Sequence, residues 1–386
     1  MASPRRVLYL LDHVILGGGE TSFLALVRRG LETGALTPIV AAPGRGPLTE
    51  RLERLGIATE IIPYDLRFRR GLLPAWRPAA ARAVADLARR EGATLIHVWH
   101  FFGLLHGGPA ARRLGLPLAW TCHGAFELAN PARRWAARRW AGHAACVSES
   151  VRRAAAAVLG PDRARTNYLG IEPFDPAQGP ADRASIRREL GEPDDVPIIA
   201  VVGRFQPIKG HLPLIEALER VRERAPGTRA WLIGEAFGPA EAEHKALVER
   251  WAATAGGVRL LGFRPDARRL MRALDALVIP SEAESFSMAA VEGLEAGIPV
   301  VGPDGGGPRE IIDPPATGRL FRPGDGAELA GAILAALGRE GFDPEAGPRR
   351  VGEQFSIDAH LERTMELYGE LHGQMYRRLS SEPGAR

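Results

Sequence analysis

The sequence predicts an α/β protein of two doubly wound domains, each a mostly parallel sheet with helices on both faces. Three observations carry this reading. The chain has 386 residues, which suits two domains of ordinary size. Short apolar runs alternate with stretches rich in Ala, Arg and Leu, the pattern of strands buried on both faces between helices. That series runs once, breaks at an acidic, proline-rich stretch from Glu172 to Pro197, and then runs again.

The first series opens with Val7 to Leu11, followed by the glycine turn Gly17-Gly18-Gly19 and by Glu20 ahead of the apolar stretch Phe23 to Val27. This reads as strand, loop, helix. Further strands are expected at Pro38 to Ala42, Ala58 to Ile62, Leu95 to Trp99, Leu118 to Cys122 and Ala144 to Val147. The break carries Pro173, Pro176, Pro180, Pro193 and Pro197, so the boundary is placed after residue 170, giving domains 1–170 and 171–356. The second series is expected to place strands at Ile198 to Val202, Arg229 to Ile233, Val258 to Leu261, Ala276 to Ile279 and Pro299 to Val301. The tail from Ile357 carries Leu361, Met365, Leu367, Tyr368, Leu371 and Met375 at helical spacing with no strand after it. A helix of this kind must pack on a domain already built, and the expectation is that 357–386 returns to the first.

Composition narrows the class. With 45% apolar and 25% charged residues the chain is neither disordered nor collagen-like. No apolar run approaches the ~20 residues of a spanning helix. Asp12 cuts the run after Arg5-Arg6 short of a secretory core, so a cytoplasmic location is expected. Cys122 and Cys146 lack the number or spacing for a disulfide framework or a zinc site and read as small buried residues. The overall charge of +4 conceals a split: residues 1–170 hold 24 arginines against 12 acidic residues, a net +12, and the remainder nets −8. The first domain is therefore expected to meet an anionic partner. Lys209 and Lys245 are the only lysines against 48 arginines, which makes each more notable.

Two segments of the second domain carry chemistry. Gly203-Arg204-Phe205-Gln206-Pro207-Ile208-Lys209-Gly210 follows its first strand, at the carboxyl edge where open α/β sheets bind ligands. Arg204 and Lys209 can converge there on one diphosphate, Arg as a fork and Lys as a point charge; the bland alternative is a solvated basic loop. The second segment, Ser281 to Gly293, holds Glu284 and Glu292 with seven residues between them. With a helix starting near Phe286, the amides of Phe286, Ser287 and Met288 make an anion site at its N-terminus. Glu292, about two turns in, would face a ribose, and Glu284 would reach a sugar beyond the phosphates. The bland alternative is acidic residues serving a helix dipole.

Together these residues resemble the family 4 glycosyltransferases, retaining enzymes of the GT-B fold, in which two Rossmann-like domains face each other across a cleft. The resemblance covers most of the chain and rests on Gly17-Gly18-Gly19-Glu20, Thr121-Cys122-His123-Gly124 and Val147-Ser148-Glu149-Ser150 in the first half. In the second it rests on Gly203-Arg204-Phe205 with Lys209-Gly210, on Glu284 and Glu292, and on Gly305-Gly306-Gly307-Pro308-Arg309-Glu310. It implies that Arg204 and Lys209 hold the diphosphate, that Glu284 contacts the donor sugar, and that Glu292 binds the ribose. Gly18 and Gly19 would close over the phosphates, and His123 would sit near the transferring sugar. Two departures stand out: Ser287 where the family often has a second glycine, and Tyr168-Leu169-Gly170-Ile171-Glu172 where it often has Asn in the second place.

Around these, His13 and His100 are expected on the acceptor side, and His97 and His106 either there or at the surface. Arg264 is expected near the donor through the loop Gly262 to Asp266. No D-x-D triplet occurs, so Arg204 and Lys209 are expected to replace a metal, and no metal or other cofactor is expected. The substrates implied are a nucleotide diphosphate sugar, UDP by family frequency, and a glycan, lipid or small-molecule acceptor. Nucleic acid is not expected. Arg133, Arg134, Arg138 and Arg139 with Trp135 and Trp140, joined by Arg67, Arg69 and Arg70, suggest peripheral contact with an anionic membrane; a buried Trp stripe with a solvated Arg face is the alternative. The rival functions are a nucleotide-sugar epimerase of the same architecture and a binding module without turnover. A dinucleotide dehydrogenase fails for want of G-x-G-x-x-G.

Overall fold

The computed structural model describes residues 5–64, 68–69, 73–74, 78–175, 177 and 182–381, the side chains of 68–69, 73–74 and 375–381 excepted. Arg67 and Arg70, and the side chain of Arg69, lie outside what is described. The chain divides into two compact units, 1–170 with 357–386, and 171–356.

The first unit is built on a seven-stranded sheet, β1 Arg5–Leu10, β2 Leu36–Ala42, β3 Thr59–Ile61, β6 Leu95–Val98, β7 Leu118–Cys122, β8 His143–Cys146 and β9 Ala164–Thr166, in spatial order β3-β2-β1-β6-β7-β8-β9. A separate antiparallel ribbon pairs β4 Phe68–Arg69 with β5 Leu73–Pro74. Every pairing in the main sheet is parallel. Its helices are α1 Gly18–Glu32, α2 Pro47–Arg54, α3 Pro78–Arg90, α4 Leu104–Leu114, α5 Pro131–Trp140 and α6 Glu149–Leu159. Because helices cover both faces, β1 is apolar throughout its inner part, with Val7, Leu8, Tyr9 and Leu10 fully buried. Order reverses between β1 and β6, which creates the crevice at the carboxyl ends where ligands of doubly wound sheets bind.

The second unit has a six-stranded parallel sheet, β10 Ile198–Val202, β11 Arg229–Ile233, β12 Val258–Gly262, β13 Ala276–Val278, β14 Val300–Pro303 and β15 Gly318–Phe321, ordered β12-β11-β10-β13-β14-β15. Its switch point lies between β10 and β13. Helices α7 Arg183–Glu189, α8 His211–Arg224, α9 Pro239–Ala255, α10 Ala267–Met271, α11 Met288–Glu295, α12 Gly306–Ile311, α13 Gly326–Leu337 and α14 Ala346–Arg350 complete it. Its core joins Ile199 and Val201 of β10 to Leu214, Leu218 and Val221 of α8 and to Leu329 and Ile333 of α13.

The last helix, α15 Ile357–Ser381, packs in the first unit. It does so through buried polar groups as well as Leu361, Leu367 and Leu371. The Tyr368 hydroxyl lies 3.0 Å from that of Tyr9 and 2.6 Å from His97 Nδ1, and Asn167 Nδ2 donates to Thr364 Oγ1 at 3.0 Å. His97 is thereby a core residue: its other nitrogen meets Thr121 Oγ1 at 2.8 Å. His106 is equally buried, beside the ring of Tyr64. Neither lies at the surface: β6 is buried at every position, and His106 sits in the buried first turns of α4. Cys122 and Cys146 are buried free thiols on neighbouring strands. Among the described residues no helix is long and apolar enough to cross a membrane.

Candidate functional site

In the second unit the switch point brings two of the expected residues into contact. Lys209 ends a 3₁₀ turn, Pro207–Lys209, after β10, and Glu284 lies in the loop after β13, the neighbouring strand across the switch. Lys209 Nζ donates to Glu284 Oε1 at 2.6 Å, and Ser281 Oγ donates to the same oxygen at 3.0 Å. The two loops are tied along their backbones as well, Glu282 N–H donating to Ile208 C=O at 3.1 Å. The first turn of α12 closes the far side. Gly307 N–H donates to Glu284 C=O at 3.0 Å, and a Cβ on Gly306 or Gly307 would collide with the backbone of Glu284 or Phe286. Gly306 and Gly307 are therefore required by close approach, whereas a Cβ on Gly305 would meet nothing within 4 Å.

Helix α11 begins at Met288, two residues after Phe286. Ser287 is its N-cap: Oγ accepts from Ala290 N–H, and a capped chain cannot extend the helix backward. The amides at the helix start are thus those of Met288 and Ala289, while Phe286 is buried against Phe355. Glu292 stands little more than one turn into α11, and burial pushes its carboxyl up to about 7, with Arg268 opposing and Glu295 adding to the rise. Ser287 itself has φ 94°, a left-handed conformation that L side chains avoid. The glycine usual here in the family thus meets a backbone demand, which Ser287 satisfies under strain.

Arg204 does not join Lys209 on a common partner. Its guanidinium bonds through Nη2 and, at 3.3 Å, through Nε to the carboxylate of Glu241 at the start of α9, and lies 5.3 Å from the ring centre of Phe237. Glu241 also accepts from Gln206 Nε2 at 2.8 Å and Phe237 N–H at 2.7 Å. Arg264 is likewise held away, on Asp266 at 2.8 Å and on Glu189 at 3.5 Å, because two carboxylates adjoin its strand end.

In the first unit Gly18 and Gly19 are not a loop but the opening turn of α1. Gly17 is the N-cap, and its N–H donates to Glu20 Oε2 at 3.0 Å, an acidic first turn that starts the helix early. Gly19 lies against His123, where a Cβ would stand 3.2 Å from the imidazole. His123 follows β7, and its Nε2 meets Trp99 C=O at 2.9 Å. A carbonyl only accepts, so Nε2 carries the proton and Nδ1 the lone pair. Burial, with the neighbouring His100 charge, lowers the His123 pKa to about 3, which keeps the ring neutral. His100 stacks on it at 4.4 Å, and His13 lies 4.6 Å from His100.

Sequence reasoning missed three carboxylates, two that hold this region and one that holds Arg204 in the second unit. Glu127 is buried and accepts His123 N–H at 2.8 Å and Phe101 N–H at 3.2 Å, which links the loops after β6 and β7. Asp12 accepts the amides of Phe102 and Gly103 at 2.6 and 2.8 Å. Glu241 is the third. Burial raises Glu127 to about 7 and Asp12 to about 6. The positive helix α5 turns out mixed: Trp135 is 55% exposed, whereas Trp140 is half-buried against Gly108 under Arg139.

Two switch-point sites on two doubly wound sheets define a GT-B protein. The family model for Glycosyltransferase Family 4 matches residues 16–173, and that for Glycosyl transferases group 1 matches 196–339. The chain belongs to the family 4 glycosyltransferases. A D-inositol 3-phosphate glycosyltransferase of Nocardia farcinica is 35% identical over 50% of this chain and 46% of its own length, so the match spans less than half of that relative. The 2-deoxystreptamine glucosyltransferase of Streptomyces kanamyceticus is 28% identical over 76% of this chain and 84% of its own. Among solved structures, Anabaena HepE in complex with UDP shares the fold with a TM-score of 0.80 at 22% identity, over 95% of this chain and all of that one.

Proposed function

We propose that the chain is a retaining glycosyltransferase that moves a sugar from a UDP-sugar to a hydroxyl of a glycan, lipid or small-molecule acceptor. The observation that carries this is the Lys209–Glu284 pair at the switch point, with the start of α11 beside it. Lys209 and the Met288 and Ala289 amides offer fixed positive charge to a leaving diphosphate, and Arg204 adds a fork once its side chain turns from Glu241. In this reading the diphosphate needs no metal. Glu284, its Oε1 fixed by Lys209 and Ser281, presents its carboxylate to donor hydroxyls, and Glu292 takes the ribose. His123, neutral with Nδ1 as acceptor, accepts a hydrogen bond from a sugar hydroxyl and takes no proton. The acceptor is deprotonated on the same face by the departing phosphate, which retains the anomeric configuration.

The UDP assignment draws on the HepE structures, one of them with UDP-glucose. A lipid acceptor would agree with peripheral membrane contact through exposed Phe126 and Trp135 among the arginines of α5. The test is UDP release from UDP-glucose with a panel of polyol, glycan and lipid acceptors. Acceptor-dependent release with an α-linked product supports the reading. Conversion of the donor alone to its epimer, or binding without turnover of any donor–acceptor pair, refutes it.

A further inference from the structure

We infer that the first unit carries a divalent transition-metal site built from His13 Nε2, His100 Nε2 and Glu20 Oε1. These three residues offer ligand atoms that all lie within 4.8 Å of one another. The single oxygen Glu20 Oε1 faces both imidazoles, at 3.4 Å from His13 Nε2 and 3.1 Å from His100 Nε2. Metal–ligand bonds of about 2.0–2.1 Å at tetrahedral angles place neighbouring ligand atoms about 3.3–3.4 Å apart, close to both separations from Glu20, and the two imidazoles, within 4.8 Å of each other, would close on the ion.

The surroundings suit such an ion. Glu20 is oriented by its other oxygen, which accepts Gly17 N–H, and its side chain is only 6% exposed. The His100 ring is held by stacking on His123. The carboxylate of Asp12, next to His13 in sequence, is tied to the amides of Phe102 and Gly103 just beyond His100, adding negative charge near the cluster. The His13 side chain, 36% exposed, opens the cluster to solvent and leaves the fourth position for water or a substrate oxygen. Two imidazoles and one carboxylate with an open position select zinc and its first-row neighbours over magnesium or calcium. The sequence expectation of no metal rested on the missing D-x-D triplet and on Arg204 and Lys209, and this site in the first unit departs from it; the site stands or falls without the sugar-transfer reading.

The experiment uses the full chain, stripped with a chelator and titrated with Zn²⁺ against a chromophoric competitor, and separately with Co²⁺ followed by visible absorption. One tight equivalent is expected, with the intense bands of four-coordinate Co²⁺. His13→Gln, on a half-exposed side chain, should keep its circular dichroism and weaken that equivalent by about 100-fold or more, beyond the loss usual for supporting partners; His100→Gln should do the same. Absence of a tight equivalent in the wild type overturns the inference and leaves the cluster an ion pair. Binding in folded His13→Gln equal to the wild type also overturns it.

Discussion

Glu127 gives the sharpest test of how the first unit holds His123. Its carboxylate accepts two backbone amides, those of His123 and Phe101, in a fully buried setting. Glu127→Ala strands both donors, and at about 1–3 kcal/mol for each buried unsatisfied group the loss is about 2–6 kcal/mol. Glu127→Gln keeps one acceptor but turns an NH₂ toward a second donor, at a cost of about 1–3 kcal/mol.

The two variants separate further by pH. Glu127 ionises at about 7 in the folded chain, raised chiefly by burial from an ordinary value near 4.5. Between those values the folded state binds more protons than the unfolded, so this group's contribution to stability falls as pH rises through the window. The whole effect is about 3 kcal/mol at 1.36 kcal/mol per unit. Glutamine cannot ionise and escapes it. Urea unfolding at about pH 5 should therefore show Glu127→Gln less stable than wild type, and at about pH 8 the gap should close or reverse by about 3 kcal/mol. A difference that stays constant across this range would refute the argument, as would a Glu127→Ala variant as stable as wild type.

Ser287→Gly should stabilise the second unit by about 1 kcal/mol, since release of the left-handed strain exceeds the few tenths lost with the cap; a lower melting temperature would count against the strain. Tyr368→Phe leaves the Tyr9 hydroxyl and His97 Nδ1 without their partner and should cost about 2–4 kcal/mol. Limited proteolysis at the end of α15 should accelerate accordingly; unchanged cleavage and melting would show that apolar contacts alone hold the helix.

Where strands are mostly apolar runs, their limits could be read directly: Leu118–Cys122, Ile198–Val202 and Arg229–Ile233 form as expected. Strands β9 and β15 escaped notice because Ala164-Arg165-Thr166 and Gly318-Arg319-Leu320-Phe321 mix charge with small residues at the sheet edges, where burial is one-sided. That Lys209 and Glu284 serve one site was implied by their motifs after strands, whereas the rotamer that sends Arg204 to Glu241 depends on a carboxylate 37 positions away. Asp12 acts through backbone amides of a distant loop, and Glu127 through one such amide besides that of His123 four residues before it; a lone carboxylate has no spacing that would reveal such partners. The departure at Ser287 was visible as a letter; its consequence needed the backbone angle.

The central claim is that Lys209 neutralises a nucleotide diphosphate at the β10–β13 switch point. Calorimetric titration of UDP into the wild type and Lys209→Ala tests it most directly. A charged hydrogen bond worth about 1.5–3 kcal/mol predicts UDP binding by the wild type and a Kd about 10- to 150-fold higher in the folded variant. Equal affinity in both, or a wild type that binds no UDP, would contradict the account.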